Sequence, residues 1–138
     1  MVPDPIGDPG AIQRPPTVLI VEDEALLRIA MSDYLQDCGF RTLEASSADE
    51  ALKILAKGSV PIDVVVTDVR MPGRTDGFGL ARWARENRKG MPVIVVSGDI
   101  KKAQVAEELC AAEPFFSKPY DLKLVVAKIR QLLDKGTG

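Results

Sequence analysis

Five short apolar runs, several built largely from β-branched residues, alternate along this chain with stretches whose apolar residues return at helical spacing. No other feature restricts the fold as much. Apolar runs without charge read as strands buried on both faces. Strands that alternate with helices predict a parallel sheet linked by right-handed crossovers. The expected strands are Thr17–Val21, Phe40–Ala45, Ile62–Thr67, Pro92–Ser97 and Phe115–Ser117. The expected fold is therefore α/β, a doubly wound five-stranded parallel sheet with helices on both faces.

The helical stretches carry their own start and stop signals. Leu27, Ala30, Met31, Tyr34, Leu35 and Cys38 recur at helical spacing, and Gly39 fits a helix stop. Ser47 with Glu50 forms a capping box before Ala51, Leu52 and Leu55, and Gly58 closes that helix. Phe78, Leu80, Ala81 and Ala84 mark a third helix, starting near Phe78. Residues 100–111 read as a fourth, with a thin stripe of Val105, Ala106 and Leu109. Asp121 caps a final helix with Leu122, Val125, Val126, Ile129, Leu132 and Leu133 on one face.

A chain of 138 residues is one domain by the usual size prior. Five of the ten prolines fall in residues 1–16, which predicts a flexible or extended arm. The folded domain is expected over 17–135, with a short tail at 136–138. A net charge of −2 gives no basic footprint, so nucleic acid is not an expected partner. No apolar segment is long enough to span a membrane, and no basic stretch precedes an apolar one as in a secretory signal. A cytoplasmic location is expected. Cys38 and Cys110 are too few for a disulfide framework or zinc site and are expected in helices as small fillers. The chain has no histidine, which excludes Ser-His-Asp and Cys-His catalysis and histidine-held metals. Its chemistry must draw on carboxylates, lysine, hydroxyls and backbone, with or without a hard metal ion.

In an open parallel sheet, ligands bind outside the carboxyl ends of the strands. The first strand runs into Glu22, Asp23 and Glu24, and the third into Asp68. The fourth runs into Ser97, Gly98 and Asp99, and the fifth into Lys118. Each alone has a plain structural explanation. Glu22–Glu24 suit a helix N-terminus, Asp68 and Ser97 suit turns, and Lys118 suits a solvated loop. Together they place excess negative charge at one sheet edge. An oxygen donor set of that charge suits a hard cation such as Mg²⁺. Beside such a cation Asp68 stays ionised and able to attack phosphorus, with Ser97 and Lys118 as donors to phosphoryl oxygens.

The segments "VLIVEDEALLR", "VVVTDVRMPG", "VIVVSGD" and "FFSKPY" resemble, in order, the signature segments of the receiver domain of two-component response regulators. The resemblance covers residues 17–133. It implies a flavodoxin-like fold with strand order 2-1-3-4-5. It implies that Asp68 accepts a phosphoryl group from a histidine kinase or histidine phosphotransfer protein. Asp23, Asp68 and the backbone carbonyl of Arg70 would ligate Mg²⁺ (or Mn²⁺), with Glu22 acting through a metal-bound water. Ser97 would be the switch hydroxyl, Phe115 the aromatic switch and Lys118 the phosphate-binding lysine. The downstream protein would meet the surface of the fourth helix, fifth strand and final helix.

Three departures stand out. Glu22 replaces the more usual Asp, the loop after Asp68 is longer than the common form, and the stretch from Ser97 to Lys118 is shorter and lacks a Gly-Ala turn. The expected function is a stand-alone phosphoacceptor switch in a phosphorelay, not a turnover enzyme, acting by protein–protein contact or onward phosphotransfer. The alternatives are a non-phosphorylated pseudo-receiver and an aspartate-nucleophile phosphohydrolase. The latter would need a second catalytic carboxylate close after the nucleophile, where Val69 and Arg70 stand instead. Arg70 and Asp99 each lie two residues beyond a site residue and are expected to tune the lifetime of the phosphorylated state, either as a gate against water or with Asp99 orienting it.

Overall fold

A computed structural model describes residues 14–69, 73, 75–97, 115–117 and 122–137. Five strands, β1 (Thr17–Val21), β2 (Arg41–Ala45), β3 (Val64–Asp68), β4 (Val93–Ser97) and β5 (Phe115–Ser117), form one parallel sheet in the order β2-β1-β3-β4-β5. Helices α1 (Ala25–Asp37), α2 (Ala48–Lys57) and α3 (Gly77–Asn87) and the C-terminal helix (Leu122–Thr137) cover its two faces. The expected fourth helix over 100–111, the Asp121 cap, Cys110 and the arm up to residue 13 lie outside the described residues.

The sheet divides the core in two. On one side, Leu19, Val21, Val65, Val93 and Val95 meet Ala51 and Leu55 of α2 and Leu80, Ala81 and Ala84 of α3. On the other, Val18, Ile20, Val64, Val66, Ile94 and Val96 meet Met31 and Leu35 of α1 and Val125, Val126 and Ile129 of the C-terminal helix. Alternate side chains of a strand point to opposite faces, so strands covered on both sides must be apolar throughout. That requirement explains the unbroken runs in β1, β3 and β4.

Local signals act as expected in α2, except that Glu50 Oε1 accepts from Ser46 N at 2.6 Å instead of returning to Ser47 to complete the capping box. Ser47 Oγ accepts from Glu50 N at 3.1 Å, and Gly58 closes the helix in the left-handed region at φ +68°. The structure corrects other expectations. β3 begins at Val64 and includes Asp68, whereas Ile62 is buried ahead of the strand. The first half of α1 does not face the core: Leu26 is 84% exposed, and Leu27, Ile29 and Ala30 are exposed too. α1 reaches the sheet through its second half, at Met31 and Leu35, so the apolar spacing before Met31 marks a surface. Cys38 is the C-cap of α1, half-buried against the core edge, not within the helix. α3 opens one residue before Phe78, at Gly77, because Asp76 Oδ1 accepts from Gly79 N at 2.9 Å and caps it.

Candidate functional site

Two adjacent central strands carry acid groups to the same edge. β1 pairs with β3 from Val18↔Val64 to Val21↔Thr67, so Glu22 follows β1 at the level where β3 ends in Asp68. The ladder continues past Val21, because Glu22 N donates to Ala45 O at 3.0 Å. This draws Glu22 into the fold, where it is only 2% exposed. Its Oε2 accepts from Glu24 N at 3.2 Å, and its backbone carbonyl accepts from Arg28 Nη1 at 2.9 Å. Arg28 is held in turn by Glu44 Oε1 at 3.0 Å. Asp23, the next residue, faces solvent.

Asp68 is held as closely. Val69 N donates to Val96 O at 3.0 Å, extending the β3–β4 ladder beyond the aspartate. Thr67 Oγ1 donates to Asp68 O at 2.9 Å. Gly77 N donates to Val69 O at 2.9 Å, which draws the start of α3 onto the strand end. A Cβ at Gly77 would collide with the Asp68 carbonyl and stand 2.9 Å from Val69 Cα, so only glycine permits this approach. These contacts fix the backbone around Asp68, a residue only 8% exposed.

One carboxylate oxygen from each of Glu22, Asp23 and Asp68 lies within 4.8 Å of the others. Like charges this close repel, and burial of Glu22 and Asp68 weakens the screening that would relieve them. The donor set is all oxygen, with two buried members and one open to solvent. It fits a hard divalent cation that keeps part of its water shell, and it lacks the nitrogen or sulfur donors preferred by softer metals.

Of the other expected site residues, Ser97 ends β4 one position beyond Val96, the partner of Asp68, and so stands at the same sheet edge. Phe115 begins β5 opposite Val95, two positions back from Ser97. Arg70, Asp99 and Lys118 lie outside the described residues. Arg28, Glu44 and Gly77 support the site without having been singled out in the sequence. Gly77, following Asp76 in a loop, was the one with a local signal.

The model of the response regulator receiver domain matches residues 18–130. The chain belongs to that family. The chemotaxis protein CheY of Pseudomonas aeruginosa is 34% identical over 125 residues, covering 88% of this chain and 98% of CheY. The sensor kinase CckA of Brucella abortus is 37% identical over 121 residues, which is 86% of this chain but 13% of the kinase. Here the receiver spans a small part of that relative. A receiver protein from Sinorhizobium medicae superposes with a TM-score of 0.80 at 31% identity, covering 88% of this chain and 97% of that one. The flavodoxin-like receiver fold and its place in two-component signalling follow from these matches. Receiver domains are signalling switches and not turnover enzymes. No helix among the described residues is long and apolar enough to cross a membrane.

Proposed function

We propose that the protein is a phosphoacceptor switch in which Asp68 takes a phosphoryl group from a phosphohistidine of a histidine kinase or phosphotransfer protein. The observation that carries this reading is the convergence of Glu22, Asp23 and Asp68 within 4.8 Å at the carboxyl end of the sheet. An Asp68 carboxylate oxygen forms the new O–P bond, the N–P bond of the donor breaks, and the departing imidazole retains the electron pair. Asp23, Asp68 and the Arg70 carbonyl would hold Mg²⁺ or Mn²⁺, with Glu22 acting through a water. The cation would offset charge on the transferring phosphoryl oxygens. Arg28 and Glu24 N keep the Glu22 segment in place, so that Asp23 is presented beside Asp68 without rearrangement.

Ser97 and Lys118 would donate to the phosphoryl oxygens. Ser97 moving toward the phosphoryl group would free volume for Phe115, and one local bond would then bias a packed two-state element. The output surface would comprise the expected fourth helix, β5 and the C-terminal helix. The donor must approach over the rim of the site. Leu26 and Ile29, exposed on the first turns of α1 just after Asp23, would offer it an apolar surface there.

Incubation with acetyl phosphate and Mg²⁺ tests the reading. The expected result is one stable acyl phosphate, absent in Asp68→Asn and absent from the parent after chelation. Label surviving in Asp68→Asn would assign the acceptor elsewhere. Rapid phosphate release with turnover would indicate a hydrolase, and no labelling at all a pseudo-receiver.

A further inference from the structure

The sequence directs no site residue from β2 to the carboxyl edge of the sheet, yet β2 holds Glu22 by both of its main-chain polar groups. Ala45 O accepts from Glu22 N at 3.0 Å. Glu44, the residue before it and the register partner of Ile20, acts on the other side through Arg28. Its Oε1 accepts from Arg28 Nε at 3.0 Å, and Arg28 Nη1 donates to Glu22 O at 2.9 Å. Beyond Asp23, Glu24 N donates to Glu22 Oε2 at 3.2 Å, and Glu24 O accepts from Arg28 N at 2.9 Å. The main-chain N–H and C=O of both neighbours of Asp23 are thus bonded, while Asp23 itself is exposed.

Holding a carbonyl oxygen fixes more than that atom. The peptide unit is planar, so the direction of the Glu22 C=O sets the orientation of Asp23 N and the course of the chain into Asp23 Cα. A guanidinium suits this task because its nitrogens lie in one rigid plane. Nε meets the Glu44 carboxylate while Nη1 meets the carbonyl. The plainest account of Arg28 and Glu44 is a surface ion pair, and such pairs add little to stability. That account leaves out the third partner, a carbonyl one residue ahead of Asp23.

We propose that Glu44 and Arg28 are positioning residues for the cation, Glu44 acting only through Arg28, and Arg28 through the Glu22–Asp23 peptide. This rests on the reading of Glu22, Asp23 and Asp68 as a cation site. The proposal carries a sign that charge alone contradicts. A guanidinium beside an acid cluster repels a divalent cation, so by Coulomb's law its removal tightens Mg²⁺ binding. If the guanidinium orients Asp23, its removal weakens binding, because ordering the carboxylate then consumes binding energy. The pair together separates the two accounts further. Removing both charges nearly cancels electrostatically and returns the affinity to the parent's value. If Glu44 works through Arg28, the double variant instead behaves like the Arg28 variant alone.

The test titrates Mg²⁺ into the isotope-labelled full chain and follows amide shifts in the parent, Glu44→Ala, Arg28→Met and the double variant. Half-saturation should rise about tenfold in Arg28→Met, the scale usual for partners that orient a metal ligand, and by less in Glu44→Ala. The double variant should match Arg28→Met. Before any metal is added, the Asp23 and Glu24 amides should already be displaced in both single variants. Arg28→Lys keeps the charge without the planar fork, so positioning predicts weaker Mg²⁺ binding there and charge predicts none. It carries the test, with Glu44→Ala at an exposed position, should Arg28→Met fail to fold. Tighter Mg²⁺ binding in Arg28→Met, or a double variant back at the parent's affinity, would overturn the proposal in favour of a charge effect. So would a parental affinity in both Arg28→Lys and Glu44→Ala. A parent that shows no saturable shifts would instead overturn the cation site itself, and this proposal with it.

Discussion

Two aspartates bracket β3, and the same side chain behaves differently at its two ends. Asp63, just before the strand, is surrounded by donors. Its Oδ2 accepts from Arg14 Nη1 and Thr17 N, each at 2.7 Å, and its Oδ1 accepts from Arg14 Nη2 at 3.3 Å. Burial alone would raise its pKa, but the Arg14 hydrogen bond, the Thr17 amide and the arginine charge together bring it below the ordinary carboxylate value. Asp68, at the other end, is brought against two further carboxylates. The first arrangement ties the start of β1 to the start of β3 and contributes stability. The second gathers like charge in an all-oxygen donor set that fits a hard cation. An acid at a strand end thus takes its role from its neighbours, and those neighbours come from distant parts of the chain.

The contrast can be broken most severely at Gly77. Gly77→Ala places a methyl group against the Asp68–Val69 backbone, which has no flexible side chain to yield. We expect a loss of about 2–4 kcal/mol in denaturant unfolding, with labelling of Asp68 reduced because the strand end must shift. An alanine variant of parental stability would show that α3 stands farther from the strand.

At the other end of β3, Asp63→Ala should cost about 1–2 kcal/mol, through loss of charged hydrogen bonds and a stranded Thr17 amide. It should leave acetyl-phosphate labelling unchanged. The pH dependence has a definite sign. The folded-state pKa of Asp63 lies below the unfolded value, so its contribution is complete above about pH 4 and is lost as pH falls through the depressed folded value. Acid titration of stability in the parent and in Asp63→Ala should therefore converge at low pH. Curves that remain parallel would deny the pair its role.

Metal should stabilise only one end of the strand. At ten times its dissociation constant, Mg²⁺ should raise the parent's stability by about 1.4 kcal/mol. The increment should persist in Asp63→Ala and largely disappear in Asp23→Asn and Asp68→Asn. An equal increment in all four proteins would place the cation elsewhere.

The smallest effect concerns Arg70 and Asp99, which follow Asp68 and Ser97 in sequence. If they gate water from the acyl phosphate, Arg70→Ala and Asp99→Ala each hasten its decay a few-fold, and the double variant adds little. Slower decay in Asp99→Ala alone would instead assign Asp99 to orienting the attacking water.

Much of this protein is legible in its sequence because its elements are specified locally. A β-branched run between turns has few alternatives to a buried strand, and Ser47 with Glu50 caps a helix through atoms a few residues apart. The positions of Glu22, Asp23 and Asp68 at strand ends are equally local facts, and parallel topology is enough to bring them to one edge. Tertiary structure alone decided that Glu22 is buried while Asp23 is open, since that depends on the ladder extending to Ala45 and on Arg28 holding the next turn. It alone exposed Leu26 and Ile29, which are apolar in sequence but lie on a part of α1 that overhangs the sheet. It alone joined Arg14 to Asp63 across 49 positions, and brought Gly77 onto Asp68. Periodicity records which way a side chain points within its own element. Burial and charge pairing depend on what the crossovers place in front of it, and no local pattern carries that information.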